Sequence, residues 1–500
     1  MNAKSFYLSV ILLTGALCAS ATTYYVRCGD QGNDSNNGTT EATAFQTLTK
    51  VFGLALQAGD IIDIGEGIFG YHENKSIATG LTIKGAGRGL TFISGTQAGA
   101  AAKKNGFTIA EGANVVIEDV TFKDYGVLDG DYSFATYGGV FSVTGGDLTC
   151  RKVDFAGNRA TRGGAIGVSS TSYAGNITLE DCTFSGNISA NTSGSTTSAN
   201  GGGAIHIIAT TKKFSLTIDR CLFENNKCEY RGSIMYIADA GAAGSVVLIQ
   251  NSTFTGNQIT AASGGSGGIY LGSGNTSTDY RFINNTYAYN VSSTIVIGTN
   301  AVGKVTFINN LVIGKGSTIL PTAAVYFKES RNNITDQSYD FEARTVSGAS
   351  SGNQSSVTFA NVGLAEAVAD NGGETKTLAI AATSIAKDAG YATGAPAVDQ
   401  TGFTRQNPDV GAYEYRAGSP TQLPGYKKKG VKYSQEKGRV VFGEVTDFNK
   451  VSVFGASGQL LYTEALLSAN FEYAAGAGIY VFLFEGNNNR EESFKIVVTN

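Results

Sequence analysis

Tryptophan is absent from this 500-residue chain, histidine and methionine occur twice each, and proline only five times. Cysteine is scarce too, at six residues with no Cys-x-x-Cys pair, which argues against a zinc site or a disulfide framework. Basic excess is missing: the net charge is −4, so the chain has no electrostatic footprint for tracking nucleic acid. After the first residues no run reaches the ~18 apolar residues that a membrane-crossing helix needs. What remains is 66 glycines, 10% aromatic residues (Phe and Tyr) and a 42% hydrophobic share. With abundant Thr, Val and Ile, that composition favours strands and a packed core over disorder.

Residues 1–21 read as a secretory leader. Lys4 is the positive start, Phe6 to Leu17 is a short apolar stretch, and Ala19-Ser20-Ala21 is a small-x-small cleavage site. Losing Lys4 takes the net charge from −4 to −5. Five cysteines remain, at 28, 150, 182, 221 and 228. Cys182 and Cys221 each stand two residues before a repeated phenylalanine, so they are expected on adjacent coils, as a buried apolar stack or as a disulfide.

That phenylalanine is the repeat signal. Phe122, Phe155, Phe184, Phe223, Phe254, Phe282 and Phe307 are spaced 33, 29, 39, 31, 28 and 25 residues apart. From Phe155 on, an asparagine follows three residues later: Asn158, Asn187, Asn226, Asn257, Asn285 and Asn310. Glycine pairs follow several of them, at Gly163-Gly164, Gly202-Gly203 and Gly267-Gly268. A drifting period with fixed signposts marks a solenoid. Aligned on Phe, the inward residues alternate with polar ones, as in strands. The position three before Phe reads Asp119, Lys152, Asp181, Arg220, Asn251, Asp279, Lys304. It is expected at a bend, as an outer ladder of mostly alternating charge that fixes register. The asparagines are expected to form a second ladder, and the loop 189–200 to protrude.

These Phe-x-x-Asn and Gly-Gly-Ala-Ile motifs resemble polymorphic outer-membrane protein repeats, a family of right-handed parallel β-helices associated with adhesion. The stretch from Tyr24-Tyr25-Val26 through Gly65-Glu66-Gly67-Ile68-Phe69 is similar to the opening of secreted pectate-lyase-like β-helix proteins. The resemblance implies a cap and first coil over 22–70, with a short helix over Thr47–Leu56. Asp370-Asn371-Gly372-Gly373-Glu374, Asp388-Ala389-Gly390 and Asp409-Val410-Gly411-Ala412-Tyr413 resemble the choice-of-anchor Q module, which implies the end of the β-helix over 362–415. Val451–Leu461, Gly478–Phe484 and Lys495–Val498 resemble the C-terminal sorting domain of Bacteroidota type IX secretion. The expected order is therefore a leader (1–21), an all-β, right-handed parallel β-helix (22–415), a polar linker (416–437) and a small Ig-like β-sandwich (438–500) of alternating strands.

Chemistry is less legible. Many secreted β-helices cleave acidic polysaccharides with an Arg or Lys base and a calcium-held substrate. Arg162 and Arg231, near the glycine bends, are candidate bases. Asp129, Asp131, Asp154, Glu180 and Asp219 are candidate carboxylates, but they form no lyase motif. Hydrolytic β-helices pair aspartates on neighbouring coils. Asp119, Asp181 and Asp279 share a position, with Asp181 the candidate acid, yet cations alternate with them. His72 sits in an early turn, and His206 reads as an isolated surface residue, so neither completes a triad. Asp30 and Asp34 are candidate calcium ligands in an Asx-rich stretch that also reads as a plain turn. The expectation is a secreted, outer-membrane-attached protein of a Gram-negative bacterium, non-catalytic, adhesin-like or carbohydrate-binding. Its expected partners are the type IX machinery and glycans or a host surface. The alternative is a polysaccharide lyase or glycoside hydrolase acting along the groove.

Overall fold

Each coil lays a short strand on the one before it. The computed structural model describes residues 21–416 and 432–498, apart from 72, 96–104, 127–136, 191–200, 209–210, 239–241, 261–266, 273–276, 292–294, 298–302, 315–325, 437–438, 444, 446–447, 456–458, 467–469 and 487–490. Most of the leader and of the 189–200 loop, His72, Asp129, Asp131 and most of the linker lie outside the described residues.

The chain winds as a right-handed parallel β-helix. Eight strands stack in sequence order into one sheet, among them Phe141–Val143, Ile166–Val168, Ile205–Ile207, Met235–Ile237 and Ile269–Leu271. A broad sheet of 20 strands and a narrow one of four complete the coils. Alternation decides what is inside: in Asn176–Glu180, Ile177 and Leu179 are buried while Thr178 faces out. The helix Leu48–Phe52 falls within the expected cap and buries Leu48, Val51 and Phe52. Phe52 packs on Phe107 at 5.3 Å, which covers the first rungs. Phe155, Phe184 and Phe223 stack at 4.6 and 4.5 Å, as their spacing requires.

After Phe254 the alignment on phenylalanine fails. Phe254 pairs with Tyr287, and Phe282 pairs with Ile249, five residues earlier in the coil. Asp279 and Lys304 therefore leave the bend, which Asn284 and Asn309 occupy instead. The physical reason is that both corners are built alike. Each takes one residue in the left-handed region, followed by a side chain turned into the core. At the first corner these are Asp119, Lys152, Asp181, Arg220, Asn251, Asn284, Asn309, Asn332 and Gly352, with φ between 47° and 66°. At the second they are Asp124, Gly157, Gly186, Asn225, Gly256 and Tyr289. Glycine and asparagine tolerate this conformation best. Phe-x-x-Asn fits either corner, and the chain shifts it from the second to the first at Phe282.

The asparagines accordingly form two ladders. In one, the backbone N–H and Nδ2 of Asn187 both donate to Asn226 Oδ1 (3.0 and 2.9 Å), and Asn187 Nδ2 also donates to Phe155 O (2.9 Å). The pattern runs from Asn158 to Asn290. The other replaces Cys182, Cys221 and Ser252 with Asn285, Asn310, Asn333 and Asn353. The five described cysteines are free thiols. Cys182 and Cys221 donate to backbone carbonyls of Glu180 and Asp219 at 3.2 and 3.3 Å.

The segment 362–415 does more than end the stack. It runs back along the first corner as a strap. Asn332 donates to Ala389 O, Asn309 to Tyr391 O and Asn284 to Asp409 O. Arg405 donates to Asn251, Thr375 to Arg220 O, and Glu374 pairs with Lys152 at 2.9 Å. Outward Ala288, Leu311, Ile313 and Ile334 need cover, and the strap's Val362, Leu364, Leu378, Ile380 and Val410 supply it as a second core.

The tail forms two antiparallel sheets around Val440, Phe442, Val453, Phe471, Phe482 and Phe484. Seven strands are described over 432–498, more than the three segments whose alternation is plain in the sequence.

Asn226 is fully buried and serves two neighbouring coils. Asn226→Ala strands the Asn187 amide and the Phe184 carbonyl, at a cost of about 2–4 kcal/mol. Denaturant unfolding should show that loss, while exposed Lys227→Ala should stay within about 0.5 kcal/mol. Equal effects would contradict the ladder.

Candidate functional site

The outward positions of the eight-stranded sheet hold a row of rings. Gly167, His206, Tyr236 and Tyr270 share register on successive coils. His206 and Tyr236 stack at 5.0 Å and 10°, and Tyr236 and Tyr270 at 5.1 Å and 3°. Gly167 leaves its place open: an added Cβ would lie 2.9 Å from Tyr137 Cβ. The Tyr137 ring fills that space, edge-on to His206 at 5.5 Å. His206 is thus buried in an aromatic row and is not the isolated surface residue that its sequence context suggests.

Both candidate bases come to this row. Tyr137, Arg162 and Gly201 pair across rungs, and the Arg231 carbonyl follows Gly201 on the next coil by accepting from Gly202. Arg162 lies over the Tyr137 ring at 4.9 Å and donates to its hydroxyl at 2.7 Å. Arg231 lies over Tyr270 at 4.8 Å and Tyr230 at 5.1 Å. Gly201 cannot be larger, since a Cβ there would meet Arg231 O at 2.3 Å. The two arginines therefore flank a gap of one coil, about 10 Å apart along the axis at two rungs. Burial pushes the Tyr236 hydroxyl up, with Tyr270 acting the same way and Arg231 and Arg162 pulling it down. Along this side of the coil Tyr137, Arg162, Arg231 and Tyr270 are partly exposed, while His206 and Tyr236 are buried beneath them. Such a surface suits a polyhydroxylated or anionic ligand.

The carboxylates lie elsewhere and are occupied. Asp181 sits at the first corner, where Arg220 Nε donates to it at 2.9 Å. Asp219 shares that arginine and accepts from Asn251. Glu180 pairs with Arg151 at 3.0 Å. Asp154 pairs with Arg88 at 3.5 Å; burial pushes its carboxyl up, against that arginine. The structure brings none of these to Arg162 or Arg231.

Asp30 is exposed in the turn Gly29–Gln31. Asp34 accepts from Gln46 N, Thr47 N and Thr47 Oγ1 at 2.9, 3.0 and 2.7 Å, and so fixes the start of the cap helix. Slight burial works to raise its carboxyl, but the Thr47 hydroxyl, the two backbone N–H donors and Lys50 hold it below the ordinary value. With its oxygens engaged and Asp30 turned to solvent, the pair does not fit a calcium ion. Among the described residues no three His, Cys, Asp or Glu gather into a metal-binding group. No helix among them is long and apolar enough to cross a membrane.

Tyr137, Tyr236 and Tyr270 are the residues that sequence reasoning missed. Part of the signal was available: His206 and Tyr236 each stand four residues after the bend glycines Gly202 and Gly232, while Tyr270 stands three after Gly267 and falls out of that alignment.

No family model matches the chain, and no curated protein matches it. Similar solved structures include pectin methylesterase PemA from Erwinia chrysanthemi, with 15% identity over 66% of this chain and 94% of that one, at a TM-score of 0.33. Another is the GH136 lacto-N-biosidase from Eubacterium ramulus, with 11% identity over 67% and 68%, at 0.29. At those scores the likeness carries no argument, and the fold rests on the strand pairing itself.

Asp34 has a lowered folded value, so its contribution to the cap is complete at neutral pH and is lost as pH falls through that value, below the ordinary 3.8. Amide exchange at Gln46 and Thr47 should lose protection there, and added calcium should leave the thermal midpoint unchanged. A calcium-dependent rise in the midpoint would restore the metal reading.

Proposed function

We propose that this chain is a secreted, surface-attached β-helix protein that holds an acidic glycan against its tyrosine–arginine face without cleaving it. The carrying observation is that Arg162 and Arg231 flank one coil-wide gap beside the row of Tyr137, His206, Tyr236 and Tyr270. An extended polyanion lying along the axis would meet two guanidiniums, two rungs apart. The engagement of Glu180 by Arg151 and of Asp181 by Arg220 favours binding over hydrolysis, because an ion-paired carboxylate is poorly suited to acid work. The leader-like residues 1–21 and the sorting-domain resemblance of the tail support export by type IX secretion and attachment at the outer membrane of a Gram-negative bacterium. An adhesin-like role against glycans or host matter follows from display of that face.

The test is retention of the purified protein on a panel of neutral and acidic polysaccharides, with parallel assays for unsaturated uronate and new reducing ends. Acidic polymers should be retained, less so at high salt. Arg162→Gln and Arg231→Gln should each weaken retention about tenfold, the size of one lost charge-assisted hydrogen bond. Product formation on any polymer would replace binding with catalysis. Retention that ignores both substitutions would move the site elsewhere.

A further inference from the structure

A concavity lies where the strap meets the broad sheet. It measures about 340 Å³ and is lined by Arg281, Ile283, Thr306, Ile308, Lys328, Glu329, Tyr391, Thr393 and Gly394. Its floor departs from the pattern of its column. On successive coils the outward position reads Glu118, Arg151, Glu180, Asp219 and Gln250, then Ile283 and Ile308, then Arg331. Charge gives way to isoleucine on two rungs only. The second core beneath the strap does not use those two residues. They are nearly buried, at 9% and 5% exposure.

The walls are polar and held in place. Tyr391 is fixed through its backbone: its N–H donates to Asn309 Oδ1 and its carbonyl accepts from Asn309 Nδ2. The Arg331 guanidinium lies over its ring at 5.2 Å. Arg281, Thr306 and Glu329 stand in register on consecutive coils. Asp279 accepts from Nε and Nη2 of Arg281, which sets the plane of the guanidinium while leaving Nη1 for another acceptor. Glu329 is occupied by Arg331. Lys328 is exposed at the rim.

An apolar floor, an aromatic wall, a hydroxyl and two cations in a cleft of this size are what a single sugar ring carrying an anionic group requires. We propose that this cleft binds a sugar-sized anion, a six-membered ring bearing a carboxylate or a sulfate. The apolar face of the ring rests on Ile283 and Ile308, and Arg281 and Lys328 take the charge. The site is separate from the tyrosine–arginine face and stands or falls independently of it.

The test uses the whole mature chain and three probes: glucuronic acid, glucose 6-sulfate and neutral glucose. Saturation-transfer NMR and titration calorimetry read binding. The acid, the sulfate or both should bind measurably better than glucose. Arg281→Gln and Lys328→Gln should each weaken that binding about tenfold, while the exposed Lys227→Gln, outside both sites, leaves it unchanged. Because Lys328 is exposed, its variant should fold normally, and an unchanged thermal midpoint would verify this. A carboxylate-only or sulfate-only response identifies the group and supports the site. Equal binding of glucose, no binding of any probe, or binding insensitive to both substitutions would overturn the proposal.

Discussion

The structure depends on how a buried backbone turns a corner. A coil of this size must bend twice within a few residues, and each bend points peptide groups into a core that holds no room for water. The solution is one left-handed residue followed by an inward side chain, which along both ladders is an asparagine. Its Oδ1 accepts from the previous coil, and its Nδ2 donates back to a strand carbonyl. An amide can both accept and donate in that geometry. Unmade, each of these bonds would cost about 1–3 kcal/mol. The stacked phenylalanines, the parallel register and the position of every outward side chain follow from those corners.

The strap changes the physics of the solenoid. A simple stack is a chain of nearest-neighbour interfaces. Here residues 374–411 bind corner residues from Lys152 to Asn332, so distant coils share one covering element. The buried pair Arg405–Glu414, at 2.8 Å, anchors it on Asn251. That pair gains its value from geometry more than from charge, since desolvation offsets much of the attraction. The strap also creates a place where outward isoleucines, an aromatic ring and two cations meet.

Much of this was legible in the sequence. The Phe and Asn periods mark a β-helix, and Cys182, Cys221 and the first five phenylalanines fall where their spacing puts them. Phe282 and Phe307 misled because Phe-x-x-Asn satisfies either corner, and a motif defined by local backbone need does not say which corner it serves. The strap's course was hidden because its partners are corner side chains distant in sequence. The tyrosine–arginine face was half visible. Arg162 and Arg231 stood out as cations near glycine bends, while the tyrosines between them look ordinary until the coils are stacked. Asp181 and Asp34 read as chemistry because carboxylates do, and only their partners, Arg220 and the Thr47 amide, reveal structural work.

The two-corner account turns on which asparagine follows Asn257. A double-mutant cycle decides it. Asn257→Ala and Asn290→Ala should couple, by about 0.5–3 kcal/mol as expected for directly bonded partners. Asn257→Ala and Asn285→Ala should be additive within about 0.5 kcal/mol. Coupling to Asn285 with additivity at Asn290 would restore the single ladder and contradict the register on which the structure rests.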